Sequence, residues 1–516
     1  MKISVMLGLA TLCLSACNAK VSTPSRETLR VQLSSEPSHL SPYLAETGAE
    51  MVILRHLVRP PLRFAADGNW DGDAAQSYSW NEAGFELSLR FRAELKWSDG
   101  APLTACHYRA GILKMLGKGS GLLSPMSELF RNLKGYSSAV VGDHSALEAA
   151  LRCTDRELIL TSLKPRDRGL LNALAFLGTA PWREGLDAEH RISSGPFRLL
   201  EWRRGRSIKI AAVDASQFLS ANVEFLFVRD SDTALIMYEK GDLEVLTEVP
   251  QALLPKLKGR PDFHRVPMMA TYYVAFDFRK GGIWSQDVRL RRALALSAGR
   301  EEIPSLLQGG ERAAYTLNPD DLLPASELAE FRRAHTEDVV EAKRLWREVA
   351  ANTPVPKKLT LGYPAGSRHQ LLMERLANNW QRRLGLEVVF EPQEWNHYID
   401  VLKKSPTEVF RYAWTAVYPD PRFFLSLFEG NNLNNFGRWI SKDFDQKLAA
   451  LDSSSRADSD FWKKVFEAED LLVWKEAALI PLYHYSKSYM ARGEIGRKLG
   501  FTYNGFVDLT RLTKNE

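Results

Sequence analysis

The apolar run Ile3 to Leu14, preceded by Lys2 and followed by Ser15-Ala16-Cys17, limits what this chain can become. A basic start, a short apolar core and small residues before a break have the pattern of a cleaved export signal, and the run is too short to span a bilayer as a helix. No later apolar stretch reaches spanning length. The rest of the 516 residues is therefore expected to fold as a globular body outside the cytoplasm. Hydrophobic residues at 45% and charged residues at 25% suit such a body, and the length allows two or three domains. The net charge of +5 is mild and its basic residues are interspersed with acids, so the chain has no nucleic-acid footprint. Arg203-Arg204-Gly205-Arg206 reads as a solvated turn.

Strand and helix patterns mix along the whole body. Leu29, Val31 and Leu33 alternate with polar residues, as do Phe85, Leu87, Leu89 and Phe91 after a turn glycine, Gly84. The pairs Ile208 and Ile210, Val223 and Phe225, and the set Leu386, Val388 and Phe390 repeat that period. Leu372, Leu376, Trp380 and Leu384 recur every four residues and predict one helical face, stopped by Gly385. Ala342, Leu345 and Val349 predict another helix, and Val465, Glu469 and Leu472 a third. No repeat and no low-complexity tract is present, so the chain reads as a multi-domain α/β or α+β protein.

Catalytic and metal motifs are missing: there is no His-Glu-x-x-His, no Gly-x-Ser-x-Gly and no phosphate loop. The ten histidines show no pair at ligand spacing on one helix face. Neither enzyme activity nor a cofactor is expected. Asp67-Gly68-Asn69-Trp70-Asp71-Gly72 matches half of a calcium loop, but Tyr78 stands where the closing glutamate belongs, and a plain turn is expected. Cys106 and Cys153 remain in the body, either as a disulfide or as two separate buried thiols.

Leu14-Ser15-Ala16-Cys17 resembles a bacterial lipoprotein signal, which implies a lipid on Cys17 and a polar tether over 18–25; an ordinary export signal with a chance cysteine is the alternative. Asn18 is compatible with outer-membrane sorting, but the sequence leaves inner and outer membrane open. The segment Lys96-Trp97-Ser98-Asp99-Gly100 with Pro102-Leu103-Thr104 resembles family 5 of the extracellular solute-binding proteins, the oligopeptide-, dipeptide- and nickel-binding lipoproteins of ABC importers. The resemblance continues through Glu36-Pro37, Ser194-Gly195-Pro196-Phe197 with Trp202, the run Asp287 to Leu294, Gln393-Glu394-Trp395 and Trp414 to Pro421. It implies an α/β, two-lobed periplasmic-binding-protein type II fold with an extra inserted domain, of the cluster C, Venus-flytrap kind. The implied divisions are lobe I over 26–58, 180–269 and 486–516, an inserted domain II over 59–179, and lobe III over 270–485.

The resemblance also implies a function: a monomer on a bacterial membrane face that captures a peptide or peptide-like ligand by lobe closure and passes it to permease subunits. A nickel complex, haem, an oligosaccharide or a ligand-sensing role on the same fold is the alternative. Carried over by position, Glu46, Tyr272, Trp395, Arg411, Trp414, Val417 and Tyr485 face the ligand. Arg411 matches an arginine that can meet a ligand carboxylate, and the two indoles border side-chain pockets. Core packing is the plain alternative for the tryptophans, an ion pair for Arg411 and a solvated loop for Glu46. Val417 is a departure, because oligopeptide binders carry there the aspartate that holds the peptide ammonium. Losing one partner of a buried ion pair costs about 3–5 kcal/mol, so a free-amine peptide in the usual pose is disfavoured. Asp420 is expected to cap a helix or turn instead of replacing that acid, and Glu46, which matches an acid near the ligand, is the alternative partner for the ammonium from the other side. Ala270 and Thr415 stand where some relatives have a cysteine pair.

Overall fold

The computed structural model describes residues 28–45, 47–65, 69–118, 127–186, 192–279, 281–416, 418–430, 432–452, 454, 456 and 458–514. Cys17, the tether 18–25, Glu46, Asp67, Gly68 and Val417 lie outside the described residues.

The first strand, β1 (Thr28–Leu33), leads to helix α1 (Gly48–Leu57), which Thr47 and Glu50 close with a capping box. A four-stranded antiparallel sheet follows, from β2 (Ala75–Trp80), β3 (Glu86–Phe91), β4 (Leu151–Cys153) and β5 (Glu157–Thr161), in the order β2-β3-β5-β4. The alternation predicted for β3 holds: Leu87, Leu89 and Phe91 are buried, while Phe85 falls before the strand and is exposed. Helix α2 (Ala105–Met115) packs on this sheet through Tyr108 and Ile112. Cys106 on α2 is joined to Cys153 on β4 by a disulfide, with Cα atoms 5.4 Å apart.

The other large sheet gathers β1 with β6 (Phe197–Arg203), β7 (Ser207–Ala212), β8 (Asn222–Phe227), β9 (Val245–Leu246), β10 (Phe263–Phe276), β11 (Lys358–Pro364), β12 (Glu387–Gln393), β13 (Val409–Thr415) and β14 (Leu479–Ala491). Its order is β12-β11-β13-β10-β14-β9-β1-β8-β7-β6. The long strands β10 and β14 carry the sheet from one half to the other. Their mutual pairing breaks register between Pro267 and Thr271, the kind of bulge that bends a strand.

Side chains alternate across the sheet, and each face has its own core. Tyr272, Val274 and Phe276 pack under helix α3 (Ser367–Leu384) with Trp380, whose indole donates to Leu294 O at 3.0 Å. The predicted periodic residues line that face, and Gly385 ends the helix at φ 75°. Tyr273, Phe410, Phe424 and Leu472 form the opposite face. A separate core joins β1, α1, β7 and β8 to the C-terminal residues Val507 and Leu509. Ala342, Leu345 and Val349 are buried, as is Glu469, which ends its α-helix where the backbone widens into a π-turn over Asp470–Lys475.

Candidate functional site

Strand β13 is the natural place to begin. Strand β10 pairs with it along its full length, from Phe276↔Val409 to Ala270↔Thr415. Ala270 and Thr415 are thus direct cross-strand neighbours. On the other edge β11 meets β13 only at Leu361↔Val409 and Gly362↔Phe410. Where those strands part, the buried Tyr398 hydroxyl, on helix α4 (Trp395–Lys404), donates toward Gly362 O and Arg411 O. Beyond that plug, no strand among the described residues lies beside the edge from Ala413 to Thr415. A bare edge of this sort accepts an extended chain by main-chain hydrogen bonds.

Arg411 occupies the same strand and is only 4% exposed. Its guanidinium carbon lies 4.1 Å from the centre of the Tyr272 ring, and Nη2 donates to Tyr485 Oη at 3.0 Å. The Nε proton is buried without a partner. The groups facing the guanidinium are the phenols of Tyr272, Tyr485, Tyr483 and Tyr398, and among the described residues no carboxylate forms an ion pair with it. Burial pushes the Tyr272 and Tyr483 pKa values well up, so both stay neutral. The Tyr272 hydroxyl is hydrogen-bonded with His369 Nδ1 at 3.1 Å. Burial, with help from Arg411 and Arg368, pushes His369 down to about 4, so at neutral pH the imidazole is uncharged. Arg368 lies beside the cluster but is matched by Glu311 at 2.6 Å. The cluster therefore holds one buried positive charge that the described residues leave uncompensated, a state that costs several kcal/mol unless an anion arrives.

A cavity of about 1050 Å³ adjoins the bare end of β13, walled by Phe64, Phe176, Met269, Thr415, Ala416 and Tyr503. These come from both halves of the large sheet and from the segment around the four-stranded sheet. Trp414 is half-buried, packs against Phe423 with ring centres 5.9 Å apart, and its indole nitrogen is buried without a partner. Trp395 opens α4 and is 50% exposed. Arg411, Tyr272 and Tyr485 are brought together, whereas Trp395 and Trp414 sit at separate points. Asp420 caps the short helix Pro421–Leu425 through Arg422 N and pairs with Arg168 at 3.1 Å. His369, Tyr483 and Tyr398 were not singled out from the sequence. The period of two between Tyr483 and Tyr485 on β14 was the available signal for the tyrosine.

Among the described residues no three His, Cys, Asp or Glu side chains are grouped to hold a metal ion, and no helix is long and apolar enough to cross a membrane.

The probable deoxycholate-binding periplasmic protein YgiS of Escherichia coli is 24% identical, covering 91% of each chain. The oligopeptide-binding protein OppA of Bacillus subtilis is 23% identical over 93% of each. Among solved structures, the unliganded open form of the periplasmic murein tripeptide binding protein MppA superposes with a TM-score of 0.78 at 21% identity, covering 93% of this chain and 95% of that one. The Haemophilus influenzae OppA complex with RPPGFSPFR superposes at 0.68 and 19%, covering 94% and 98%. These likenesses give the type II periplasmic-binding-protein fold. Residues 69–436 match the family described as bacterial extracellular solute-binding proteins, family 5 Middle, and with that match the chain belongs to the family 5 extracellular solute-binding proteins.

Proposed function

We propose that the protein is the substrate-binding component of an ABC importer, held at a bacterial membrane face by lipid on Cys17 and the tether 18–25. It captures a peptide or peptide-like ligand that ends in a carboxylate, releases it unchanged to a permease, and works as a monomer. The observation that carries this reading is the bare edge of β13 beside a buried Arg411 that no carboxylate among the described residues pairs with. The edge offers main-chain bonds to an extended ligand, and the guanidinium offers a charge-assisted bond to its terminal acid. We further propose that residues 26–58, 180–269 and 486–516 form one lobe, 270–485 the other and 59–179 an inserted domain. The lobes hinge at the register break in β10. Tyr272 and Tyr485 orient Arg411, while Trp395, Trp414, Val417 and Glu46 border the ligand.

A second reading is favoured by Val417 and by the relative named for deoxycholate: the guest is a non-peptide amphipathic acid with no amine. Both readings use Arg411 in the same way. Native mass spectrometry of the protein purified from its own cells separates them by the mass that co-purifies. Calorimetry with carboxylate-ended and amide-ended versions of that guest then tests the site. Equal affinity for both versions overturns the proposed role of Arg411.

A further inference from the structure

Two segments far apart in the chain supply walls of the same cavity. Ala175 and Phe176 follow the short helix Arg168–Leu174, and Thr415, Ala416 and Pro419 lead into the short helix Pro421–Leu425. An ion pair joins the starts of those two helices. Arg168 Nη2 donates to Asp420 Oδ2 at 3.1 Å, across 252 positions of sequence. The Arg168 side chain is 21% exposed and that of Asp420 only 6%. Two weaker ties link the same segments: Lys164 reaches Asp452 at 4.0 Å, and the rings of Phe64 and Tyr418 stack with centres 6.2 Å apart.

Each partner of the Arg168–Asp420 pair also has a contact on its own side. The guanidinium carbon of Arg168 lies 5.1 Å from the centre of the Trp70 ring, and that indole donates to Asn172 on the helix of Arg168 itself. Asp420 accepts from Arg422 N at 3.0 Å as the cap of its own helix. Parting the two segments gives up the ion pair and the 5.7 Å contact of Arg168 with the Phe461 ring. It leaves the carboxylate hydrogen-bonded and the guanidinium over an aromatic face, where water already reaches it. A fully buried pair behaves otherwise, because separation strands both charges. A contact whose partners keep local bonds breaks and reforms without unfolding either segment.

We propose that Arg168 and Asp420 form a latch on the cavity. Made, it holds the walls carrying Phe176 and Pro419 at the separation a guest requires; broken, it lets them part so that a guest enters or leaves. The inference rests on the proposed lobes, since Arg168 falls in 59–179 and Asp420 in 270–485, and it adds the tie that opposes their hinging. Arg168 is thereby a positioning residue for binding, one that acts through Asp420 without touching the guest. A guest that binds only the latched arrangement has an apparent affinity in proportion to the latched fraction.

A charge cycle tests the latch. Arg168→Gln removes the cation, and Asp420→Asn removes the anion while keeping a residue that caps a helix equally well. Small-angle scattering of the purified protein, with no guest added, reads the separation of the lobes. Each single variant is expected to raise the radius of gyration, the double variant to raise it no further, and Arg168→Lys to stay close to the parent. Urea unfolding should be nearly the same throughout, which separates loss of a latch from loss of the fold. Native mass spectrometry with mixed-sequence tripeptide and tetrapeptide libraries then reads binding. Each single variant should weaken capture by on the order of fivefold or more, and the double variant no more than either. Identical scattering from parent and variants, or losses that simply add in the double variant, overturns the latch whatever the peptides do. If the variants expand as expected while no library peptide binds any of the proteins, the latch stands and the peptide reading falls.

Discussion

Replacing Arg411 with glutamine separates a ligand-binding charge from a structural one. The guanidinium gives a desolvated cation–π contact with Tyr272 at 4.1 Å, worth about 2 kcal/mol, and a bond to Tyr485 at 3.0 Å, worth about 1.5–3 kcal/mol. Against these stands the desolvation of the buried guanidinium, which no carboxylate among the described residues offsets, at a cost of several kcal/mol. The terms oppose each other, so urea unfolding of Arg411→Gln should stay within about 2 kcal/mol of the parent protein. Binding has no such compensation. A buried ligand carboxylate that loses its partner costs about 3–5 kcal/mol, which is on the order of a hundred- to several-thousandfold in Kd. The assay is calorimetry in a double cycle: parent and variant, each with the acid-ended guest and its amide. The acid should lose its affinity in the variant, while the amide changes little between the two proteins. An Arg411→Gln protein that binds the acid within about threefold of the parent would refute the reasoning.

Other positions test the fold around this site. Arg300 is fully buried, bonds Glu337 at 3.2 Å and Pro481 O at 3.0 Å, and lies beside the stacked rings of Tyr315 and Trp474. Unlike Arg411 it has its acid, so Arg300→Gln should destabilise the protein by about 3–5 kcal/mol in urea unfolding, and a loss under ~1 kcal/mol contradicts that. Glu469 accepts bonds from Leu317 N, Asn318 N and Asn318 Nδ2, yet burial outweighs them and pushes its carboxyl up to about 7. Its contribution to stability is full below the ordinary carboxyl pKa near ~4.5 and is lost as pH rises through about 7, a change on the order of 3 kcal/mol. Subtracting Glu469→Gln unfolding curves from those of the parent should show that fall between acid and mildly alkaline pH, and a flat difference rejects it. The Cys106–Cys153 disulfide spans 47 residues of chain, so Cys106→Ser/Cys153→Ser should cost about 4 kcal/mol in the unfolding of the segment around the four-stranded sheet. Unchanged unfolding under non-reducing conditions counts against it.

Sequence periodicity was enough to locate elements that are amphipathic in themselves. The strand carrying Leu87 and Leu89, the helix carrying Leu372 to Trp380 with its stop at Gly385, and the buried face of Ala342, Leu345 and Val349 all follow from local rules. Backbone period and side-chain polarity decide them without reference to distant residues. The family pattern is legible for a related reason, because close approaches are written into particular residues. At Gly195, for example, a Cβ would fall 2.6 Å from His56 O.

The charge state of the site was not legible in that way. Arg411 is one of the chain's 68 lysines and arginines, and apart from its place in the family pattern nothing local distinguishes it from Arg300 or Arg368. Only the assembled sheet reveals that Arg300 faces Glu337 and Arg368 faces Glu311, while Arg411 faces four phenols. The bare edge of β13 depends likewise on where β11 diverges, a contact between residues some fifty positions apart. Burial and pairing are properties of neighbours brought together by the fold. The sequence by itself therefore set the elements and the family, and the tertiary structure decided which buried charge was left without an acid among the described residues.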